Sequence, residues 1–217
     1  MPILVTMTSE SPTQTFNMKQ PMYIILEAPD RVGKDTQIAL IIKRLSDRVF
    51  HKMHYSALPF KNPDKHTSHS AAQYEQMFEI MKQLKPSGIN VIFNRSHLGE
   101  SIYAPLYRGY SGDYVFSIES KHIRELRDNV YLITMVNTPE ILMSRDDGQS
   151  LYSNGEELRA EIDGFVRAHR KSLIKNKLLL EIGTMTPDEV SNIITDFLTE
   201  AQPEYNPLQQ SLFNEIL

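Results

Sequence analysis

The stretch Met22-Tyr23-Ile24-Ile25-Leu26-Glu27-Ala28-Pro29-Asp30-Arg31-Val32-Gly33-Lys34-Asp35-Thr36-Gln37 decides the fold. Its first five residues are an unbroken apolar run, as expected of a strand covered on both faces. A tight loop follows. The spacing then predicts a helix over 33–47, because Ile38, Ile41, Ile42 and Leu45 fall at i, i+3, i+4 and i+7 and form one buried stripe. A strand, a loop, Gly-Lys and a helix in that order make a phosphate cradle. Loop N–H groups and the helix N-terminus gather positive potential, and Lys34 adds a full charge. Gly33 lets the backbone approach phosphate oxygens with no Cβ in the way.

Working outward, the alternation repeats. Strands are expected at 54–58, 90–93, 130–136 and 177–182, and helices at 71–84, 117–127, 156–174 and 187–201. The last helix has a clear start: Thr186 as N-cap, Pro187 at N1 and Glu189 at N3 form a capping box. Five apolar strands separated by helices imply an α/β fold, a doubly wound five-stranded parallel sheet with its ligand at the carboxyl ends of the strands. Residues 1–20 read as an N-terminal extension, 21–201 as the domain and 202–217 as a C-terminal tail.

The composition excludes several classes. The 217 residues carry a net charge of −4, whereas a protein that coats duplex nucleic acid needs a basic surplus. There is no cysteine, so disulfides, thiolate catalysis and Cys-ligated zinc are out. The spacing of His51, His54, His66, His69 and His97 does not fit a helical zinc site. No run approaches the ~20 apolar residues of a membrane helix. The N-terminus has no basic segment ahead of its apolar residues, so a secretory signal is not expected. A cytoplasmic protein is the expectation.

The loop fits the context of a Walker A motif with two departures: Ala28 stands at the first glycine position, and Asp35 stands where Ser or Thr would hold magnesium. Ala28 is tolerable if its φ is negative. Asp35 can ligate Mg²⁺ itself, since hard cations favour oxygen, or it can simply cap the helix dipole. Glu27-Ala28-Pro29-Asp30-Arg31-Val32-Gly33-Lys34-Asp35-Thr36-Gln37 resembles the loop of thymidylate kinases, within the P-loop nucleoside monophosphate kinases. Further similarities are Phe93-Asn94-Arg95 with Tyr103 nine residues after Asn94, Ala72-Gln73-Tyr74-Glu75-Gln76, Pro59-Phe60-Lys61, and a lid segment at about 144–156. The segment 94–112 also resembles phage-encoded deoxynucleotide kinases.

That resemblance implies ATP-dependent phosphorylation of a deoxynucleoside monophosphate, dTMP-like, with Mg²⁺ as cofactor, in a cytoplasm that is the host's if the chain is phage-encoded. Carried over by residue, Val32, Gly33, Lys34, Asp35 and Thr36 would hold ATP, with Asp35 as the metal ligand. Arg31 and the lid's Arg145 would meet the transferring phosphoryl group. Arg95 and Lys61 would hold the acceptor phosphate, and Asp30 the sugar hydroxyl. Tyr103 would lie beside the sugar, with Gln73 and His69 near the base. Asn94 replaces an acid on the third strand, and Asp35 returns that charge on the loop. Two other readings stay open: a kinase of a 5-hydroxymethyl pyrimidine, free or in DNA, with Asp35 or Glu100 as base, and a non-catalytic nucleotide-binding regulator. A homodimer is implied by resemblance alone. Gln209-Gln210-Ser211-Leu212-Phe213 resembles the bacterial sliding-clamp pentapeptide, although an amphipathic end of this kind more often docks on the chain's own domain or on a second copy. A pull-down with clamp tests this: L212A/F213A should lose capture, and equal capture of both chains rules the clamp out.

Overall fold

The computed structural model describes residues 20–56, 62–148 and 150–200. Lys61 and the tail residues Gln209, Leu212 and Phe213 lie outside them. Strand β1 (Tyr23–Glu27) is buried along its whole length, and helix α1 (Lys34–Arg44) follows the loop. Next come β2 (Phe50–His54), α2 (Pro63–Leu84), β3 (Asn90–Asn94) and α3 (His97–Tyr103). A π-helical turn, Ala104–Arg108, runs on from α3. The chain continues through α4 (Tyr114–Leu126), β4 (Val130–Val136), α5 (Pro139–Met143), α6 (Gly155–Lys171), β5 (Asn176–Glu181) and α7 (Pro187–Thr199).

The five strands are all parallel in the order β2-β3-β1-β4-β5. β1 is therefore central, and its side chains alternate between two cores. Ile24 and Leu26 pack with Ile38 and Ile41 of α1 and Ile194 of α7. Tyr23 and Ile25 face the other way, onto Phe78 of α2, Ile102 of α3 and Phe165 of α6. Helices thus cover both faces, as the continuous apolar run requires. The chain leaves β1 toward one face and β3 toward the other, so a crevice opens between their carboxyl ends.

Most elements match their expected positions. β4 covers the expected residues, and α7 starts with its capping box formed. β2 lies four residues earlier than expected. As an edge strand that pairs only with β3, it buries little, and its burial does not alternate strictly. α2 starts eight residues before the expected point. Asn62 caps it by accepting from Lys65 N, with Pro63 at N1, but its first turns are too polar to show a stripe. α3, the π turn and α5 were not expected. Among the described residues no helix is long and apolar enough to cross a membrane.

α3 and α6 cross at a glycine. A Cβ on Gly164 would lie 2.7 Å from Ile102 Cγ2, tighter than side chains tolerate. Gly164→Ala is expected to destabilise by about 1–3 kcal/mol in urea unfolding, the usual cost of overpacking. An unchanged midpoint would show that the α3–α6 contact yields without strain.

Candidate active site

The loop from β1 to α1 wraps around the side chain of Lys34. Its Nζ donates to the carbonyls of Ala28 (2.8 Å) and Pro29 (2.9 Å) and lies 3.9 Å from Asp30 Oδ1. Burial drives its pKa down to about 8, against the pull of the Asp30 carboxylate and with help from the Arg95 charge. Gly33 sits at φ +102°, a left-handed conformation that opens the first turn of α1. Ala28 is not among the residues with positive φ, so the departure from the motif's first glycine carries no backbone penalty. Val32 is buried beneath the loop, and Thr36 is exposed on the first turn.

Among the described residues two that are not glycine take the left-handed conformation, Arg31 at φ +66° and Arg95 at φ +70°. Each costs of order 1–3 kcal/mol and persists only where its surroundings fix it. Both are cations at the crevice. Arg95 Nη2 donates to Asp30 Oδ1 at 2.7 Å, and its backbone N–H reaches Leu26 O at 3.0 Å. Arg31 reaches across to Asp147, in the segment between α5 and α6. Arg145, on the turn after α5, is exposed.

Asp35 points along the top of the sheet. Its Oδ1 accepts from Asn94 Nδ2 of β3 and from Lys52 Nζ of β2, each at 3.0 Å. Asn94 Oδ1 is buried and has no hydrogen-bond partner. The carboxylate suits a hard cation, and a flip of the Asn94 amide would turn its oxygen to the same side. Among the described residues no group of three acids or histidines could cage a metal, so any ion here would also need oxygens from a bound phosphate.

Next to the loop lies a cleft lined by Glu27, Tyr55, Tyr74, Arg95, Ser96, Gly99, Glu100, Tyr103, Arg108 and Phe165. Tyr103 packs against Tyr107 and Phe165, with ring centroids 6.1 and 5.9 Å away. Of the acceptor residues expected from sequence, Arg95 and Tyr103 line this cleft, and Asp30 holds Arg95. Gln73 and His69 are half-buried on α2 and do not line it. The inward face of α2 carries His66, Ser70 and Tyr74 instead.

Sequence reading gave no role to Glu27, Ser96, Arg108 or Glu161. Glu27, nearly fully buried, accepts from both the N–H (2.9 Å) and the hydroxyl (2.6 Å) of Ser96. Ser96 in turn touches His97 Nδ1, and His97 Nε2 meets Glu119 at 2.8 Å, a buried polar chain running away from the cleft. Glu161 of α6 is pushed up to about 7 by burial, with its Oε1 accepting from the Tyr107 hydroxyl at 2.5 Å. A weak signal existed for Glu161, since a charged residue on the apolar stripe of α6 breaks the pattern. Arg108 carried none.

No protein-family model matches the chain, and no curated protein matches it significantly. Solved structures do. The YorR protein of Bacillus subtilis, in complex with phosphorylated GDP, superposes with a TM-score of 0.60 at 17% identity, covering 82% of this chain and 95% of its own. Thymidylate kinase from Candida albicans gives a TM-score of 0.54 at 14% identity, over 82% of this chain and 91% of that one. The five-stranded, all-parallel sheet with flanking helices is the fold that the chain shares with these two structures.

The state of Lys34 sets a pH dependence. An anion bound in the loop favours the charged amine, so its binding takes up a proton wherever the free lysine has lost one. Triphosphate affinity should therefore be flat below pH 8 and fall about tenfold per unit above it, since the free lysine titrates near 8. Calorimetry in two buffers of different ionisation enthalpy would show the proton uptake. An affinity flat to pH 10 would show that Lys34 does not meet the anion.

Proposed function

We propose that the protein transfers the γ-phosphoryl group of ATP to a deoxynucleoside monophosphate. The observation that carries this reading is the arrangement of cations around one crevice: Lys34 in the loop after β1 and Arg95 in the loop after β3, both held against Asp30. Phosphoryl transfer asks little covalent chemistry of a protein. It asks for positioning and for positive charge around the moving oxygens. Loop N–H groups, Gly33 and Lys34 would hold the donor phosphates, with Thr36 at the start of the helix. Arg31 would exchange Asp147 for the transferring group as the lid engages, and Arg145 would join from the lid. Arg95 would take the acceptor phosphate, freeing Asp30 for the sugar hydroxyl. A monophosphate is largely ionised at pH 7, so no general base is required.

Mg²⁺ would be held by Asp35 with Asn94 beside it and would supply neutralisation of phosphate charge. Lys52 would then release Asp35. The base is left to experiment: a dTMP-like pyrimidine follows from the resemblance of the loop, and the phosphorylated GDP bound by YorR adds guanine nucleotides to the panel. Glu27, a buried carboxylate lining the cleft, favours a second reading in which a neutral hydroxyl, such as that of a 5-hydroxymethyl pyrimidine, is the acceptor and needs a base.

Coupled ADP release with dTMP, dUMP, dCMP, dGMP, dAMP, hydroxymethyl-dUMP and hydroxymethylated DNA decides between these. Acceptor-dependent turnover is expected, with Lys34→Met and Arg95→Met each about 10²–10³-fold slower. Turnover at the level of ATP alone with every acceptor refutes both. Asp35→Ala should lose more activity than Asn94→Ala, and an Asp35→Ala enzyme with full Mg²⁺-dependent rate would remove Asp35 from the metal site.

A further inference from the structure

Part of the cleft wall is built around an ion pair whose acid is buried. Glu100 of α3 is enclosed, with a side-chain exposure of 1%. Its Oε2 accepts from Arg108 Nη1 at 2.6 Å, and its Oε1 accepts from the hydroxyls of Tyr110 (2.6 Å) and Tyr114 (3.0 Å). A carboxylate offers about four acceptor positions, so three are taken. A buried pair survives only when it is this fully bonded.

The backbone is shaped to make it so. The π turn winds Arg108 back over the residue eight positions earlier, and Gly109 ends the turn at φ +74°. π turns recur at functional sites. The returning loop then presses on α3. A Cβ on Gly112 would sit 2.2 Å from the carbonyl oxygen of Glu100, so only glycine fits there. That contact delivers Tyr110 and Tyr114 to the carboxylate.

Arg108 is the member of this cluster with capacity to spare. It bonds Glu100 and Tyr110, which leaves other N–H donors of its five, and its side chain is 19% exposed where it lines the cleft. Tyr55 and Tyr74 line the same cleft. Tyr55 stacks on Phe93, with centroids 6.0 Å apart, so aromatic rings share the cleft with Arg108. An aromatic wall ending in a rigid fork of donors is suited to a planar base that presents acceptors. Glu100 cancels the charge, so the pair favours a neutral polar edge over a second phosphate.

We propose that Arg108, held by Glu100, reads the acceptor base and selects bases with a carbonyl at that edge (thymine, uracil, guanine) over bases with an amino group there (cytosine, adenine). This rests on the cleft being the acceptor side, as in the function proposed above. An amino group would set donor against donor. Losing one hydrogen bond from a charged donor discriminates by about tenfold to a hundredfold.

Calorimetric binding of dTMP, dGMP, dCMP and dAMP to the full chain tests the idea without turnover. The wild type should bind dTMP or dGMP at least about tenfold tighter than dCMP and dAMP. Arg108→Lys is the variant of choice, because it leaves Glu100 its cation while removing the fork; Arg108→Gln is the second, with thermal unfolding to confirm folding. Both should bring the affinities together, mainly by weakening the carbonyl bases. Equal wild-type affinities, tighter binding of amino bases, or an equal loss for all four in Arg108→Lys would overturn the inference while leaving acceptor-dependent ADP release intact. Absent ADP release with preserved selectivity would overturn the kinase reading alone. If no monophosphate binds, both fall.

Discussion

The carboxyl ends of β1 and β3 are stitched to one another, and the crevice depends on that stitch. The Arg95 N–H bonds Leu26 O, Ser96 puts two donors on Glu27, and the Arg95 guanidinium grips Asp30. Four bonds join two short loops at the topological switch point of the sheet. They fix the distance between the loop that carries Lys34 and the loop that carries Arg95. Without them, two cation-bearing loops would move apart under mutual repulsion and the cost of positive φ at Arg31 and Arg95. Buried Glu27 and half-buried Asp30 hold the two loops in place, which is preorganisation of the kind the proposed chemistry needs.

Burial of charge is the recurring device. Lys34, Glu27, Glu100, Glu119 and Glu161 are all nearly inaccessible, and each has a partner. A buried polar group left unbonded costs a few kcal/mol, so these networks are rigid wherever they are complete. Asn94 Oδ1 is an exception, a buried acceptor with nothing to accept, beside Asp35. The region of the proposed chemistry is therefore also where bonding is unfinished.

Elements whose stability comes from local pattern could be read from sequence. The apolar run of β1, the seven residues of β4 and the Thr186–Glu189 cap declare themselves within a few positions. Elements that depend on tertiary contact could not. β2 is an edge strand with one partner, so Phe-His-Lys-Met-His shows no period. The face of α2 turns on a single residue: a helix rotates about 100° per position, so the step from Gln73 to Tyr74 separates a side chain beside the cleft wall from one that forms it. α3 and its π turn stayed hidden because polar residues bury themselves there against one another. Glu100, Tyr110 and Tyr114 look like a surface loop in one dimension and in three form a bonded cluster around a buried carboxylate. The loop after β1, by contrast, was legible because a strand, a tight turn and a helix in succession are local in sequence.

The two margins of the sheet bear on how the molecule behaves in company. A parallel sheet leaves a row of unused N–H and C=O groups at each outer strand, ready to pair with another chain. Here one margin is β2, with His51, Lys52 and His54 exposed, and the other is β5, framed by Lys177 and Glu181. Charged and ionisable side chains there discourage strand-on-strand growth, so the fold is guarded against fibrous self-association along its rims.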